Sequence, residues 1–124
     1  MARAIVLTGD LLFGSQVQGS LVAAGHGVEI VADQPALIAR LSDHSEGPAA
    51  VLVVDLTDER LDGAGILEAM RGAGELGSTR TLAFYSHVDL AARERAERAG
   101  FDLIVARSRM AREGAELVSG LASR

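Results

Sequence analysis

The sequence predicts an α/β fold, a single doubly wound five-stranded parallel sheet with helices on both faces. Five short apolar segments alternate strictly with segments of helical period, which gives repeated right-handed βαβ units. The apolar segments are continuous and do not alternate with polar residues, a pattern typical of strands covered on both faces. A length of 124 residues fits one hydrophobic core, so we expect one domain over residues 1–124.

The five predicted strands are short and rich in β-branched residues. They are "AIVL" (4–7), "VEIV" (28–31), "AVLVV" (50–54), "TLAFY" (81–85) and "LIVA" (103–106). A doubly wound sheet places functional groups outside the carboxyl ends of its strands, so the residues that end each segment are the candidates for a site. They are Thr8, Gly9, Asp10, Asp33, Asp55, Tyr85, Ser86 and Arg107.

Helical periodicity predicts helices over residues 11–24, 34–42, 63–72, 88–99 and 109–122. Preferred N-cap residues precede the last four of them, with a proline in the first turn of the second helix. These caps are Asp33 (with Pro35), Asp62, Ser86 or Asp89, and Ser108. Gly25 and Gly100 follow the first and fourth helices, where a left-handed residue ends a helix well.

Composition restricts the class of function. With 48% hydrophobic and 23% charged residues the chain is expected to fold, and the absence of cysteine excludes disulfides and thiolate metal sites and fits a cytoplasmic protein. The opening "MARAIVLTGD" has an apolar run too short for a signal peptide or a membrane span. A net charge of −5 opposes direct nucleic-acid binding, and the absence of lysine excludes Schiff-base chemistry.

Two segments resemble the receiver domains of two-component response regulators. "VLVVDLTDERLDG" (51–63) is similar to the family's third strand, phosphoacceptor aspartate and following loop, with Asp55 at the acceptor position. "AERAGFDLIVARS" (96–108) is similar to the stretch from the fourth helix into the fifth strand, with Arg107 at the position of the family's lysine. The intervals of 30 residues from Asp55 to Tyr85 and 52 to Arg107 match the family's spacing. The resemblance covers nearly the whole chain and implies the flavodoxin-like, CheY-like strand order 2-1-3-4-5 and a bacterial signalling role.

The resemblance also implies a damaged phosphorylation site. The family's acidic pair, which holds Mg²⁺, falls at Thr8 and Gly9, with Asp10 one place too far along. Tyr85 stands at the hydroxyl switch position, beside Ser86. We expect no cofactor and no Mg²⁺ unless Asp10 and Asp55 bind it, because one carboxylate is a weak anchor for this ion.

Arginine in place of the family's lysine at position 107 predicts an ion pair with Asp55. Its planar guanidinium can bind a carboxylate through two parallel hydrogen bonds and stays charged at any working pH. We therefore expect a permanent ion pair between Asp55 and Arg107. Tyr85 is expected to fill the remaining pocket with its ring. For Asp10, an N-cap is favoured over a metal ligand.

Four functional hypotheses follow. The leading one is a stand-alone, non-enzymatic pseudo-receiver that acts by binding an unidentified signalling protein, with a homodimer through the fourth helix, fifth strand and fifth helix. Others are a phosphorylatable regulator using Asp55, Asp10 and Ser86, and a small-molecule sensor at the strand-end cleft. "TGDLLFG" (8–14) with Asp33 raises a dinucleotide site, although its middle glycine is missing.

Two further features remain open. The histidines at 26, 44 and 87 are expected to be solvated loop residues, since their spacing fits no metal site. The first helix carries the small residues Gly14, Ser15, Gly19 and Ser20, which allow close helix approach and suggest a partner or self-docking surface.

Overall fold

A computed structural model describes residues 2–124, and it confirms the predicted fold class. Five parallel strands form one sheet in the order β2-β1-β3-β4-β5, the flavodoxin-like order that the resemblance implied. The strands are β1 (Arg3–Leu7), β2 (Gly27–Val31), β3 (Val51–Asp55), β4 (Arg80–Tyr85) and β5 (Leu103–Ala106). The helices are α1 (Leu11–Ala23), α2 (Gln34–Ser42), α3 (Gly63–Gly72), α4 (Leu90–Ala99) and α5 (Arg107–Ala122).

Successive residues of the inner strands point to opposite faces of the sheet, and each face has its own core. In β3, Val51 and Val53 pack against α1 and α5, while Leu52 and Val54 pack against α2, α3 and α4. All four are at most 1% exposed. Burial on both faces explains why these strands read as continuous apolar runs in the sequence.

Aspartate carboxylates cap four of the helices, as local sequence chemistry predicts. Asp33, Asp62 and Asp89 each accept a hydrogen bond from the backbone N–H three residues on, and Asp10 does the same for α1. Gly100 ends α4 with a φ of +90°, a conformation that costs glycine little. No helix of residues 2–124 has the length and apolarity needed to cross a bilayer.

Two predicted helix starts are wrong. The fourth helix begins at Leu90, two residues later than predicted. Of its two candidate caps Asp89 is confirmed, whereas Ser86 belongs to a turn in which its carbonyl accepts the Asp89 N–H. The fifth helix begins at Arg107, two residues earlier than predicted, so Ser108 lies inside it and does not cap it. The strand β5 runs directly into α5, and Ala106 at the N-cap position offers no side-chain acceptor.

The expectation of three solvated histidines is wrong for His26. This side chain is 8% exposed; its Nδ1 accepts the backbone N–H of Ala2, and its Nε2 lies 2.9 Å from the Ser119 hydroxyl. The ring thereby joins the start of β1 to α5, a long-range role that sequence position could not reveal. His44 and His87 are exposed, as expected.

Candidate functional site

Asp55 ends β3 at the carboxyl edge of the sheet, with only 1% of its surface exposed. Both of its carboxylate oxygens accept hydrogen bonds from the protein. Oδ2 accepts the Thr8 hydroxyl at 2.7 Å, and Oδ1 accepts the Thr57 N–H at 2.7 Å and the Thr57 hydroxyl at 2.6 Å. Three donors satisfy most of the lone pairs that a carboxylate offers, so hydrogen bonds from the protein replace those that this buried group would make with water.

Thr8 follows β1 and is fully buried. Its hydroxyl proton goes to Asp55, so its oxygen is free to accept the backbone N–H of Asp10 at 3.0 Å. The resemblance assigns this position to the first acid of a metal-binding pair. A neutral hydroxyl here donates to Asp55, whereas a carboxylate would repel it.

Gly9 lies at the second position of the acidic pair that the resemblance implies, and a side chain from another loop fills the space beside it. The carboxylate of Asp58, in the loop after β3, lies where a Cβ on residue 9 would project. Asp58 also accepts the backbone N–H of Arg60 at 2.9 Å and pairs with the Arg60 guanidinium at 3.5 Å. The Asp58 side chain is only 12% exposed, and it fills the space that a side chain at position 9 would take.

The predicted pair between Asp55 and Arg107 is wrong, because Arg107 binds Asp10. The guanidinium lies 3.0 Å from the Asp10 carboxylate and 4.2 Å from the centroid of the Phe13 ring. Asp55 is already satisfied by threonine donors, and both partners of Arg107 lie at the start of α1, the helix that packs beside α5 on the same face of the sheet. Arginine therefore joins α5 to α1 by an ion pair and a cation–π contact.

Asp10 is both an N-cap and an ion-pair partner. Oδ1 accepts the Phe13 N–H and Oδ2 accepts Arg107. The Phe13 N–H lowers the pKa of Asp10 below its usual 3.8, and Arg107 lowers it further against the cost of partial desolvation. The N-cap interpretation of Asp10 is confirmed.

Tyr85 ends β4, is 8% exposed, and has the Arg93 guanidinium of α4 at 5.9 Å from its ring centroid. A groove of about 380 Å³ opens beside it, between α1, the loop after β4 and the start of α5. The groove is lined by Phe13, Thr57, Ser86, His87, Arg107, Ser108 and Ala111. Tyr85 is buried and does not line this groove, and the expectation that its ring fills the cleft beside Asp55 stays a prediction.

The residues at this edge do not fit a magnesium ion. Magnesium needs carboxylates that are free to coordinate it in octahedral geometry. Here Asp55 accepts hydrogen bonds from threonines, and Asp10 caps α1 and pairs with Arg107. Asp58 is bound by Arg60. No group of three or more histidine or acidic side chains within residues 2–124 is placed to hold a metal.

The same geometry opposes the dinucleotide alternative. A pyrophosphate at the start of α1 would meet the Asp10 carboxylate at the helix end and the Asp58 carboxylate beside Gly9. Asp33, the candidate ribose ligand, caps α2 by accepting the Ala36 N–H. These acids repel the phosphates that such a site must attract.

Several solved structures to which this chain is similar are receiver domains. The chain resembles the receiver domain of the Francisella response regulator 1452, with a TM-score of 0.83 and 15% identity over 100% of this chain and 98% of that one. It has the receiver-domain fold. The receiver domain of the sensor histidine kinase PA1611 from Pseudomonas aeruginosa, which carries a magnesium ion in its active-site cleft, gives 0.83 and 14% identity over 99% and 98% of the two chains.

The chemotaxis protein CheY4 of Vibrio cholerae gives a TM-score of 0.79 and 16% identity over 98% of each chain. No protein-family model matches this chain, and no curated protein matches it significantly by sequence. At these identities the comparisons bear on the fold. In that receiver fold, Asp55 and Arg107 lie at the strand ends where the sequence comparison put them, but they serve separate contacts.

Sequence reasoning missed Thr57, Asp58 and Phe13. The run "DLTDER" (55–60) contained a signal, since Thr57 two residues after Asp55 is well placed to hydrogen-bond back to it. Asp58 was recognisable only as an additional acid. Phe13 carried no local signal, because its contact with Arg107 depends on how α5 leaves the sheet.

Proposed function

We propose that this chain is a pseudo-receiver, a non-enzymatic signalling module that acts through protein–protein interaction and is not phosphorylated in the Mg²⁺-dependent way. One observation carries the proposal: Asp55 is buried and both of its oxygens are held by Thr8 and Thr57. An acceptor carboxylate needs an open lone pair and a cation to neutralise the charge of the transferring phosphoryl group.

The charges around Asp55 support the same proposal. The positions that would gather a divalent cation are taken by Thr8 and Gly9, and the cation that would contact a phosphoryl group, Arg107, is engaged by Asp10. Phosphorylation would have to break the threonine hydrogen bonds and then leave the added charge without a metal. We place the protein in the cytoplasm, since its composition is free of cysteine.

The surface of the chain supports binding of a protein partner. Four of its large apolar side chains lie exposed near the carboxyl edge of the sheet, Leu11 and Leu12 after β1 and Val88 and Leu90 after β4, each between 62% and 76% exposed. Exposed apolar groups of this size are common at sites of protein interaction. The partner in this proposal is another signalling protein, and neither nucleic acid nor membrane is bound directly.

Incubation with a small phosphodonor and Mg²⁺, followed by intact-protein mass spectrometry, tests the proposal. We expect no phosphoryl adduct on the parent chain, while an active receiver domain treated in parallel is modified. The Asp55→Asn variant is the control for the site of any adduct. A stoichiometric adduct on the parent that disappears in Asp55→Asn would establish the phosphorylatable regulator and refute the pseudo-receiver.

A second candidate, the small-molecule sensor, is favoured by the groove beside Arg107. Its volume of about 380 Å³ lies within the range of ligand sites, and it presents the Thr57, Ser86 and Ser108 hydroxyls beside the Phe13 ring. A thermal-shift screen of nucleotides and small metabolites tests it, because a ligand of the folded state must raise the apparent Tm. The Ser86→Trp variant, which fills the groove, should abolish any such shift.

A further inference from the structure

A pocket of about 470 Å³ opens at the amino-terminal edge of the sheet, the edge opposite Asp55. Its walls are the end of α3, the loop between α3 and β4, the first residue of β4 and the residue before β5. The charged residues of this lower pocket are Arg71, Arg80 and Asp102. Its volume lies within the range of small-molecule sites, and its polar lining favours a polar ligand.

Arg80 begins β4 and is a half-buried cation without a partner. Its backbone N–H donates to the Ala50 carbonyl, but its guanidinium makes no hydrogen bond or ion pair in the described part of the chain. The other half-buried arginines, Arg3, Arg95 and Arg107, all bind carboxylates. The five N–H groups of the Arg80 guanidinium are therefore left to solvent or to a ligand.

Arg71, at the end of α3, is held in place by carbonyls and not by an acid. Its guanidinium donates to the Ala99 carbonyl at 2.7 Å and to the Gly100 carbonyl at 3.1 Å. These two contacts leave further N–H groups of Arg71 open, and they do not neutralise its charge. A guanidinium that is already fixed loses little conformational freedom when it binds a ligand.

The loop between α3 and β4 supplies backbone donors. The Thr79 N–H donates to the Leu76 carbonyl at 2.9 Å, which closes a turn where Gly77 has a φ of +55°. The N–H groups of Leu76, Gly77 and Ser78, three residues that line the pocket, find no acceptor within the described chain. Successive backbone N–H groups in a turn form concave sites for anions. The Thr79 hydroxyl is engaged, because it donates to the Ala49 carbonyl at 2.7 Å.

We propose that the lower pocket binds a small phosphate ester. Two guanidiniums without carboxylate partners and three unpaired N–H groups exceed what the two oxygens of a carboxylate accept. The three terminal oxygens of a phosphate ester match this set of donors, and arginine is well suited to phosphate because it donates two parallel hydrogen bonds.

Asp102 brings a negative charge to the same pocket, and two arginines against this one aspartate leave the pocket net positive. Asp102 Oδ2 accepts the Thr81 N–H at 2.8 Å and the Thr81 hydroxyl at 3.2 Å. Its Oδ1 is open to accept a hydroxyl from the organic part of the ester. Glu75, in the same loop, lines the adjoining groove and not this pocket.

The expected binding is weak because the chain as a whole carries a net charge of −5, which repels anions at long range. The ligand is held by short-range hydrogen bonds to the arginines and the loop. This inference goes beyond the proposed function. It does not depend on the chemistry of Asp55 or on the groove beside Arg107, because both lie at the other edge of the sheet.

NMR titration of the ¹⁵N-labelled chain with inorganic phosphate, at constant pH and ionic strength, tests the proposal. We expect saturable shifts of the backbone amides of residues 76–80, with a Kd of about 1 mM. Glycerol 3-phosphate should bind at least as tightly, because its hydroxyl reaches Asp102, and acetate should bind at least about fivefold more weakly. Shifts spread over the whole surface without saturation, or tighter binding of acetate than of phosphate, would overturn the proposal.

Two substitutions with opposite expected effects locate the site. Arg80→Gln should weaken phosphate binding at least about tenfold, whereas Arg112→Gln, which removes the same charge from an exposed position on α5, should leave it unchanged. Asp102→Asn should strengthen phosphate binding about twofold or more, because it removes a repelling charge and keeps an oxygen for Thr81. Circular dichroism confirms that each variant is folded. Equal phosphate binding by Arg80→Gln and Arg112→Gln, or weaker binding by Asp102→Asn, would refute an anion site in the lower pocket.

Discussion

Replacing Thr8 with valine removes one hydroxyl from the most buried polar contact at the strand ends and keeps the shape of the side chain. Thr8 is fully buried and Asp55 is 1% exposed, so water cannot replace the lost donor to Asp55 Oδ2. A hydrogen bond to a charged group contributes about 1.5–3 kcal/mol. The Asp10 N–H also loses its acceptor, but it is only partly buried and water can reach it. We expect Thr8→Val to lower the free energy of unfolding by about 2–3 kcal/mol, a large part of a typical 5–15 kcal/mol.

Urea unfolding followed by circular dichroism measures this loss, and the slope with denaturant should stay unchanged because the fold is the same. Thr8→Ser keeps the hydroxyl and should retain most of the stability. In an Asp55→Asn background the same valine substitution should cost less, since a neutral amide oxygen accepts a weaker hydrogen bond. A loss below about 0.5 kcal/mol, or an equal loss in both backgrounds, would show that Thr8 does not stabilise a buried Asp55 charge.

Three further predictions concern the rest of the fold. Phe84→Ala, at a fully buried position, should destabilise the protein by about 3–5 kcal/mol in urea unfolding, and a loss below about 1 kcal/mol would contradict its place in the core. The hydrogen bond from Arg95 lowers the pKa of Glu68 from its usual 4.5, so this pair stabilises the fold above pH 4.5 and its contribution is lost as the pH falls through the lower folded-state pKa. Urea unfolding at a series of pH values should therefore show that the parent loses more stability below pH 4.5 than Glu68→Gln does. The same dependence of stability on pH in both proteins would refute the role of the pair. Gly100→Ala should cost about 1–2 kcal/mol because φ is +90°, whereas Gly72→Ala, in a right-handed helix, should not destabilise; equal thermal melting of the two would exclude backbone strain at Gly100.

The elements of the fold were predictable because their signals are local. Apolar runs and helical periods mark each segment, and an aspartate before a helix caps it through a backbone N–H three residues on, as at Asp33 and Asp62. The start of α5 was not predictable in this way. It has no capping side chain, and Ser108, the local cap signal, lies inside the helix.

The contacts of the candidate site were less predictable. Thr8 and Asp55 are 47 residues apart, and Asp10 and Arg107 are 97 apart. The sequence placed these residues at the same edge of the sheet. It could not show which of the two carboxylates, Asp10 or Asp55, would bind Arg107. The buried carboxylate was satisfied by threonines, which left Arg107 to the half-exposed Asp10.

The sequence by itself determined the succession of strands and helices along the chain and the residues at each strand end. Only the tertiary structure decided that Asp55 is held by hydroxyls, that Asp58 fills the space beside Gly9, and that Arg107 turns towards α1. Periodicity and capping act between near neighbours, so one sequence encodes them directly. Pairing of charges depends on distances of a few ångströms between segments far apart in the chain and on how much water each loses, and packing alone sets both.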